Sequence, residues 1–151
     1  MTEHAKIARD YFLSGYNCAQ AVFCAFEDVT GIDHETALKL SSSFGGGMGK
    51  LREVCGAFSG AAAVLGALYG YTDVTDQKLK TEHYALIQQL AERFKADHGT
   101  IICRELLTGI KTSSSSAPEE RTPEYYAGRP CAAFVVTAAE ILDEIIAEKS
   151  K

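Results

Sequence analysis

The stretch "GGGMGKLREVCGAFSGAAAVLGALYGYT", residues 45–72, decides how this chain folds. A glycine-rich segment leads to Cys55, and no charged residue occurs from Val54 to Thr72. This uncharged run approaches the length of a membrane span, which needs about 20 apolar residues. Four glycines, a serine, two tyrosines and a threonine dilute its hydrophobicity, and no second run of this kind exists. The pattern therefore favours a central core helix that its neighbours approach closely on every side.

Composition and charge narrow the class of protein. The 151 residues are 46% hydrophobic and 23% charged, which is ordinary for a globular protein, and the length suffices for one domain with a real core. The net charge of -5 argues against nucleic-acid binding, which needs a basic face. The opening "MTEHAKIARDYF" mixes charges and lacks an apolar signal segment. We therefore expect a cytoplasmic protein with no membrane span and no nucleic-acid partner.

Apolar residues recur at helical spacing along most of the chain, and no segment alternates cleanly enough to predict a strand. We predict an all-α, single-domain bundle (residues 1–151) of about five to seven helices around the glycine- and alanine-rich helix, which we place from Leu51 to Gly70. Residues 109–129 are predicted to form a surface loop. Helix starts are predicted at Thr2, Asn17 (with Gln20), Asp33, Thr75 or Asp76, Thr100 and the first-turn Pro130.

The same spacing predicts which side chains face inward. Gly15 and Gly99 are predicted to stop the first and fifth helices. The predicted inward residues are Ile7, Ala8, Tyr11, Phe12, Val22, Phe26, Val29, Ala37, Leu38, Leu40, Leu79, Leu86, Leu90, Phe94, Phe134, Val135, Leu142 and Ile145.

Five cysteines, at positions 18, 24, 55, 103 and 131, need an explanation in a chain of this kind. Their odd number and the expected reducing compartment argue against a framework of structural disulfides. No CxxC pair occurs, so a zinc ribbon or knuckle, whose ligands come in close pairs, is not expected. Widely separated cysteines can still meet where a helical bundle folds back on itself.

Four of these cysteines fall in or near the first turn of a predicted helix, namely Cys18, Cys55, Cys103 and Cys131. Free backbone N–H groups and the helix dipole favour negative charge there, which lowers the pKa of a thiol and makes its thiolate available for redox chemistry or metal ligation. Cys24 falls mid-helix, which is typical of a small buried hydrophobic residue. Free cysteine is often buried as core filler, but four placed alike favour chemistry.

The glycines at positions 45, 46, 47 and 49 permit a backbone conformation or a close approach that a side chain would block. A phosphate-binding loop would need Ser or Thr after Lys50, where Leu51 stands. We therefore predict that this bend wraps the chain tightly around the sulfur site. Arg52 and Glu53, beside Cys55, are expected to be solvated or ion-paired, with stabilisation of a thiolate by Arg52 as the alternative.

The stretch "GGGMGKLREVCGAFSGA", with the upstream "GYNCAQAVF" and two later single cysteines, resembles the C_GCAxxG_C_C family. That family consists of short chains with four characteristic cysteines, described as redox-active, and the resemblance covers nearly the whole length. Here the central motif has the order CGAxxG, with Gly56 and Ala57 after the cysteine and then Gly60. The resemblance carries the family cysteines onto Cys18, Cys55, Cys103 and Cys131 and leaves Cys24 outside. It implies redox activity without naming a substrate.

The four-cysteine domain is also similar to the N-terminal part of split-Soret cytochrome c, which implies an iron–sulfur site. No CxxCH haem-attachment sequence occurs in this chain. As metal ligands, Cys18, Cys55, Cys103 and Cys131 can hold a 2Fe–2S cluster or another thiophilic metal. As catalytic residues of a thiol-dependent oxidoreductase, the same four can work as two dithiol/disulfide couples, with three connectivities available.

Three functions therefore stand as hypotheses. The first is thiol–disulfide or electron-transfer chemistry, the second is the binding of an iron–sulfur cluster or other metal, and the third is a non-catalytic helical module that assembles or docks through its small-residue faces. A redox partner is expected under the first two hypotheses, and a homodimer is compatible with all three.

Overall fold

The computed structural model describes residues 1–151 and is all-α, as predicted. The only β pairing is one antiparallel bridge between Val54 and Ile102. The helices are α1 (Glu3–Leu13), α2 (Cys18–Ala25), α3 (Glu27–Thr30), α4 (His34–Ser41), α5 (Gly56–Tyr69), α6 (Gln77–His98), α7 (Cys103–Leu106), α8 (Pro123–Gly128) and α9 (Cys131–Lys149), with a short 3₁₀ turn at Ser42–Phe44.

Local capping explains where most helices begin. The side chains of Thr2, Asp33 and Asp76 each accept a hydrogen bond from a backbone N–H in the first turn of α1, α4 and α6. Asn17 and Gln20 form the predicted reciprocal pair at the start of α2, in which each side chain accepts from the other residue's backbone N–H. Gly99 ends α6 in the left-handed conformation, as predicted.

Helix α5 lies at the centre of the bundle, where it packs against α2, α6 and α9, while α1 covers α2 and α9. A cluster of 29 buried residues forms the core, to which α5 contributes Ala57, Phe58, Ala61, Val64 and Leu65. The prediction of a central helix is thus confirmed. None of the helices combines the length and the hydropathy that a membrane crossing requires.

Glycine explains how closely α5 approaches α2. A Cβ atom at Gly60 would lie 2.6 Å from the carbonyl oxygen of Ala19, and one at Gly56 would lie 3.2 Å from the backbone nitrogen of Ala19. The first distance is shorter than real Cβ contacts and the second is tight, so the two helices meet backbone to backbone. Gly56 also leaves room for the 3₁₀ turn, because its Cβ would lie 2.8 Å from the carbonyl oxygen of Phe44. This contact fixes the start of α5 beside the start of α2.

Four side chains predicted to face inward are exposed: Ile7, Val29, Leu40 and Leu79. Ile7 lies on the side of α1 away from the buried Ala5, Ala8 and Phe12. The sequence predicts Val29 in a longer second helix, but α2 ends at Ala25. Val29 lies instead in the short helix α3, which has no buried residues. The predicted apolar face of α1 was too wide, and the predicted second helix was too long.

The same reasoning applies to the other two. Helix α4 buries the arc through Ala37 and Ser41, and Leu40 lies beside that arc. Helix α6 reaches the core only from Leu86 onward, so its first turn, with Leu79, projects beyond the bundle.

The predicted boundaries of three helices also need correction. Helix α5 begins at Gly56 instead of Leu51, because Met48, Lys50 and Arg52 all have positive φ angles that no helix accommodates. The sixth predicted helix starts at Cys103, two residues after the expected first helical residue, and residue 130 is the N-cap of α9, not its first helical residue. The predicted loop 109–129 contains α8, which begins at the proline of position 123 after a Thr122 cap.

A cysteine pocket formed at four helix starts

Each of the four predicted site cysteines occupies the start of a helix. Cys18, Cys103 and Cys131 are the first residues of α2, α7 and α9, and Cys55 is the N-cap of α5. All four line one cavity of about 50 Å³, which we call the cysteine pocket. All five cysteines of the chain are free thiols, and those of the pocket are buried except for Cys18, which is half-buried.

The Val54–Ile102 bridge fixes two of these cysteines relative to each other. The backbone N–H of Cys55 donates to the carbonyl of Ile101 at 2.7 Å, and the backbone N–H of Cys103 donates to the carbonyl of Glu53 at 2.6 Å. These two bonds flank the bridge and pair the segments that lead into α5 and α7. Cys55 and Cys103 are therefore held by backbone hydrogen bonds and do not depend on side-chain packing for their register.

The glycine-rich bend encloses the pocket, as predicted. Gly46 and Gly47 both line the cavity and both have left-handed φ angles, of 65° and 72°. A Cβ atom at Gly47 would lie 2.7 Å from the Cβ of Cys103 and 2.8 Å from the backbone nitrogen of Glu53. Glycine is thus required at position 47 both for its conformation and for the space beside Cys103.

Three arginines surround the sulfur atoms. Arg52 is almost fully buried and pairs with Glu119, in agreement with the expectation of an ion-paired arginine. Its Nη1 also lies 3.9 Å from the Sγ of Cys103, a different thiol from the Cys55 considered in the sequence. Arg121 and Arg129 reach the same cavity from the segment that was predicted to be a surface loop. Their guanidinium carbons lie 5.0 and 4.9 Å from the ring centroid of Tyr125, so both contact this ring. Sequence reasoning missed both arginines, since nothing in their local sequence marks them as site residues.

Cys18 and Cys131 both line the pocket, and their interaction shifts the two thiol pKa values in opposite directions. The interaction with the Cys18 thiol lowers the pKa of Cys131 to about 7, against the opposing effect of burial and with help from Arg129, Arg121 and Arg52. The same interaction, together with burial, holds the pKa of Cys18 well above its usual value. One sulfur of the pair therefore ionises near neutral pH while its partner keeps its proton.

The other two pocket thiols do not ionise readily. Burial raises the pKa of Cys55 to about 12, although the N–H groups of Phe58 and Ala57 favour its thiolate. Burial also raises the pKa of Cys103, against the opposing effect of Arg52. The prediction that a first-turn position lowers the pKa of all four thiols is therefore wrong for three of them. Loss of solvation outweighs the N–H donors at Cys55 and Arg52 at Cys103, whereas at Cys18 the interaction with Cys131 is the largest cause of the raised pKa.

Cys24 lies outside the pocket, as expected, and is buried in α2. Burial, followed by the charge of Glu27, raises its pKa to about 12. Its sulfur, a Glu27 oxygen and a ring nitrogen of His34 all lie within 4.8 Å of one another. His34 Nδ1 pairs with Glu27 at 2.5 Å, and its Nε2 lies 2.9 Å from the hydroxyl of Tyr16. The imidazole therefore already has a partner at each nitrogen.

Comparison with known families places these cysteines in context. The sequence model of the family described as "Putative redox-active protein (C_GCAxxG_C_C)" matches residues 16–145. The chain belongs to the C_GCAxxG_C_C family. The matched region contains every residue of the cysteine pocket, so the helix-start arrangement lies within the part of the chain that this family shares. No curated protein and no solved structure matches the chain.

Membership agrees with the resemblance drawn from the sequence and supports a redox-active protein in general terms. The family description names no substrate, cofactor or reaction. A more specific function has to be argued from the geometry of the pocket.

Proposed function

We propose that the protein carries out thiol–disulfide exchange, with Cys131 as the attacking thiolate and Cys18 as the resolving thiol. The observation that carries this proposal is the placement of Cys131 and Cys18 in one cavity that Arg52, Arg121 and Arg129 also line, where the pKa of Cys131 is lowered to about 7 while that of Cys18 is raised. A thiol with a pKa near ambient pH is the best attacking group, because it combines a large thiolate fraction with high nucleophilicity.

The proposed reaction takes two steps. The Cys131 thiolate attacks one sulfur of a substrate disulfide, which forms a mixed disulfide and releases the first substrate thiolate. Cys18 then loses its proton and attacks the Sγ of Cys131, which forms the Cys18–Cys131 disulfide and releases the second substrate thiolate. The proton from Cys18 passes to a leaving thiolate, so one disulfide is reduced to two thiols and one dithiol is oxidised.

Cys55 and Cys103 are proposed as the second dithiol of the same pocket. Exchange with the Cys18–Cys131 disulfide would restore those two thiols and leave a Cys55–Cys103 disulfide, with no change in the total number of electrons. The backbone pairing of their segments supports this assignment, since it holds both residues at one place whatever the substrate.

The pairing of cysteines on oxidation tests the proposal. Reduced protein would be treated with one equivalent of bis(2-hydroxyethyl) disulfide, quenched by alkylation and mapped by peptide mass spectrometry. We expect a Cys18–Cys131 disulfide to form first, and Cys131→Ser to abolish it. Cys24→Ala serves as the matched control and should oxidise like the wild type. Oxidation that spares Cys18 and Cys131, or that proceeds equally in Cys131→Ser, would contradict the proposal.

A 2Fe–2S cluster is the second candidate, and it rests on the convergence of four cysteines on one cavity. A single tetrahedral zinc ion would need its sulfur ligands about 3.8 Å apart, given Zn–S bonds of about 2.3 Å. No three pocket thiols form a group whose ligand atoms lie within 4.8 Å of one another, so a one-metal site does not fit. A two-iron cluster takes two thiolates per iron and tolerates a wider spread.

In that case Cys18, Cys55, Cys103 and Cys131 would hold the cluster, which supplies one-electron transfer when bound. The three arginines of the pocket would offset its negative charge. Iron content and visible absorption of protein purified without oxygen distinguish the two candidates. Iron near two per chain, with absorption bands that disappear in Cys55→Ser, would favour the cluster, whereas colourless and metal-free protein would favour thiol–disulfide exchange.

A further inference from the structure

A wider cleft opens directly onto the cysteine pocket. It has a volume of about 460 Å³ and shares Asn17, Gly46, Arg52, Arg121 and Tyr125 with the pocket wall. Because the two cavities share these residues, a molecule in the cleft contacts the side chains that also line the sulfur site. The volume lies within the range of small-molecule sites, which is about 300–1,000 Å³. We call this space, with its Lys50 and Arg121 side chains, the cationic cleft.

The charges that line the cleft and the pocket are strongly unbalanced. Lys50, Arg52, Arg121 and Arg129 supply positive charge, and Glu119 is the one acidic residue among the lining side chains. The excess is notable because the whole chain carries a net charge of -5. The imbalance is therefore local to this site and does not reflect the composition of the protein.

The ion pairs leave two of the four cations without a carboxylate. Glu119 pairs with both Arg52 and Arg129. Arg121 makes no ion pair, and its guanidinium donates to the backbone carbonyls of Phe12 and Tyr16 at 3.2 and 3.3 Å. The Lys50 ammonium donates only to the carbonyl of Ala117.

Burial makes this arrangement costly unless an anion completes it. The Arg129 side chain is only 6% exposed and that of Arg52 only 11%, yet both share a single carboxylate. Charge that is removed from water and incompletely paired is unfavourable. Arg121 and Lys50 pair with no carboxylate, so a bound anion would complete the charge balance of the site.

The glycine-rich bend adds two donors. The backbone N–H groups of Gly46 and Gly47 make no hydrogen bond within the protein, whereas their carbonyls accept from Arg52 and Glu53. Both residues are left-handed and line the pocket. Successive N–H groups in such a conformation form concavities that suit anions.

We propose that the cationic cleft binds a small anionic substrate, a disulfide that carries carboxylate groups, and presents it to the cysteine pocket. This inference rests on the proposed thiol–disulfide function and assigns its substrate class. The carboxylates would lie against Arg121 and Lys50 while the sulfur atoms face Cys131. The substrate is reduced to two thiols as Cys18 and Cys131 become a disulfide, so no further reactant is required.

Three disulfides of different charge test the proposal on the reduced protein: 3,3′-dithiodipropionate (anionic), bis(2-hydroxyethyl) disulfide (neutral) and cystamine (cationic). We expect the second-order rate for the anion to exceed that for the neutral compound by about tenfold at low salt, in line with electrostatic steering, and cystamine to be slowest. The preference should shrink as salt is added. Equal rates, or a faster cystamine reaction, would overturn the proposal.

Variants identify the cations that produce the preference. Arg121→Gln should lower the ratio of anionic to neutral rates by about fivefold, since one ion pair in a partly buried site is worth about 1 kcal/mol. The ratio is informative because any change in thiol reactivity affects both substrates alike. Lys50→Gln is the second variant, in case Arg121→Gln does not fold. Lys78→Gln, which removes one charge from a fully solvated position on α6, is the control and should leave the ratio unchanged.

Competition by an unreactive analogue separates the two proposals. Suberate, in which two methylene groups replace the sulfurs of 3,3′-dithiodipropionate, should slow oxidation of the pocket, whereas uncharged 1,8-octanediol should not. Oxidation by the neutral disulfide without an anionic preference or suberate competition would overturn the anion site alone. If no disulfide oxidised Cys18 or Cys131, the thiol–disulfide function itself would fail, and suberate would then be tested by calorimetry for binding that Arg121→Gln abolishes. A lack of such binding would overturn the anion site as well.

Discussion

Gly47 and Cys103 touch across the wall of the cysteine pocket, with no room for a side chain between them. The contact joins the glycine-rich bend to the start of α7, and through the Val54–Ile102 bridge it extends to the start of α5. The glycine-rich bend, the start of α7 and the start of α5 therefore meet beside the Cys103 side chain. The shape of this wall depends on the absence of a side chain at Gly47.

Gly47→Ala should consequently destabilise the protein by about 2–4 kcal/mol. The new Cβ would meet backbone atoms of Arg52 and Glu53 as well as Cys103, and alanine disfavours a φ of 72°. Gly109→Ala is the control, because Gly109 has a φ of 83° and nothing within 4 Å, so it carries only the conformational cost of about 1 kcal/mol. Urea denaturation measures both. Equal losses would show that the contact with Cys103 contributes nothing.

Substitutions in α5 should separate close packing from helix propensity. Gly60→Ala should cost about 2 kcal/mol or more, because its Cβ would lie 2.6 Å from the Ala19 carbonyl oxygen. Gly66→Ala, six residues along the same helix and in open space, should instead stabilise the protein by about 0.5–1 kcal/mol. Thermal and urea unfolding of both variants check the opposite signs. A stabilising Gly60→Ala would contradict the backbone contact between α2 and α5.

The thiolate at Cys131 should be visible as a pH dependence of alkylation. We expect one cysteine to react with iodoacetamide with an apparent pKa of about 7, identified as Cys131 by peptide mapping. Removing the neighbouring thiol with Cys18→Ala should raise that pKa, whereas Cys24→Ala should leave it unchanged. Reaction of Cys131 only above pH 9 in the wild type would rule out the proposed activation.

The same shift affects stability with a definite sign. The folded pKa of Cys131 is lowered from 9.0 to about 7, so its ionisation adds to the free energy of unfolding as pH rises from about 7 to 9 and is lost as pH falls through 7. The gain from pH 7 to pH 9 should therefore be smaller in Cys131→Ala than in the wild type. An identical pH profile in the variant would contradict this coupling.

His4 provides a second pH-dependent contact, far from the pocket. Its Nδ1 pairs with Asp143 of α9 at 2.7 Å, and its Nε2 pairs with Asp28 of α3 at 2.9 Å. Burial lowers the pKa of His4, but the two carboxylates outweigh it and the net pKa is raised. The contribution is therefore complete below the unfolded pKa of about 6.5 and is lost as pH rises through the higher folded value.

Asp143→Asn should accordingly cost about 1–2 kcal/mol at pH 6 and less at pH 8, since it removes a part-buried, charge-assisted hydrogen bond. Asp10→Asn, at an exposed position of α1, is the control and should show no such difference. Urea denaturation at the two pH values measures the effect. A larger cost at pH 8 than at pH 6 would contradict a raised pKa.

The features that could be predicted from the sequence are those set by local interactions. The caps at Thr2, Asn17, Asp33 and Asp76 involve residues three positions apart, and all four were found where expected. The placement of the four cysteines at or near helix starts could be predicted from the same local signals, whereas their convergence on one cavity depends on how the helices pack. The start of α5 could not, because the left-handed conformations of non-glycine residues before it depend on tertiary contacts.

The arginines that line the pocket could not be predicted from the sequence for a different reason. Arg121 and Arg129 come from a segment whose composition indicated only a loop, and Arg121 contacts the end of α1 more than 100 positions earlier. The thiol pKa values likewise depend on burial, which opposes the helix termini at Cys18, Cys55 and Cys103. Helix position can be derived from spacing, but solvation and long-range charge cannot.

The glycine contact between α2 and α5 has a consequence for how the site can respond to chemistry. The backbones of α2 and α5 meet with no side chain between them. No side chains can therefore rearrange between these helices when a bond forms at sulfur. Cys18 and Cys55 are therefore carried on one stiff unit. Cys103 is tied to the same unit by the Val54–Ile102 bridge, so any displacement that accompanies bond formation must be absorbed by the wall where Arg121 and Arg129 belong to a connecting segment. Structural change during the reaction is thus confined to the side of the pocket that this connecting segment forms.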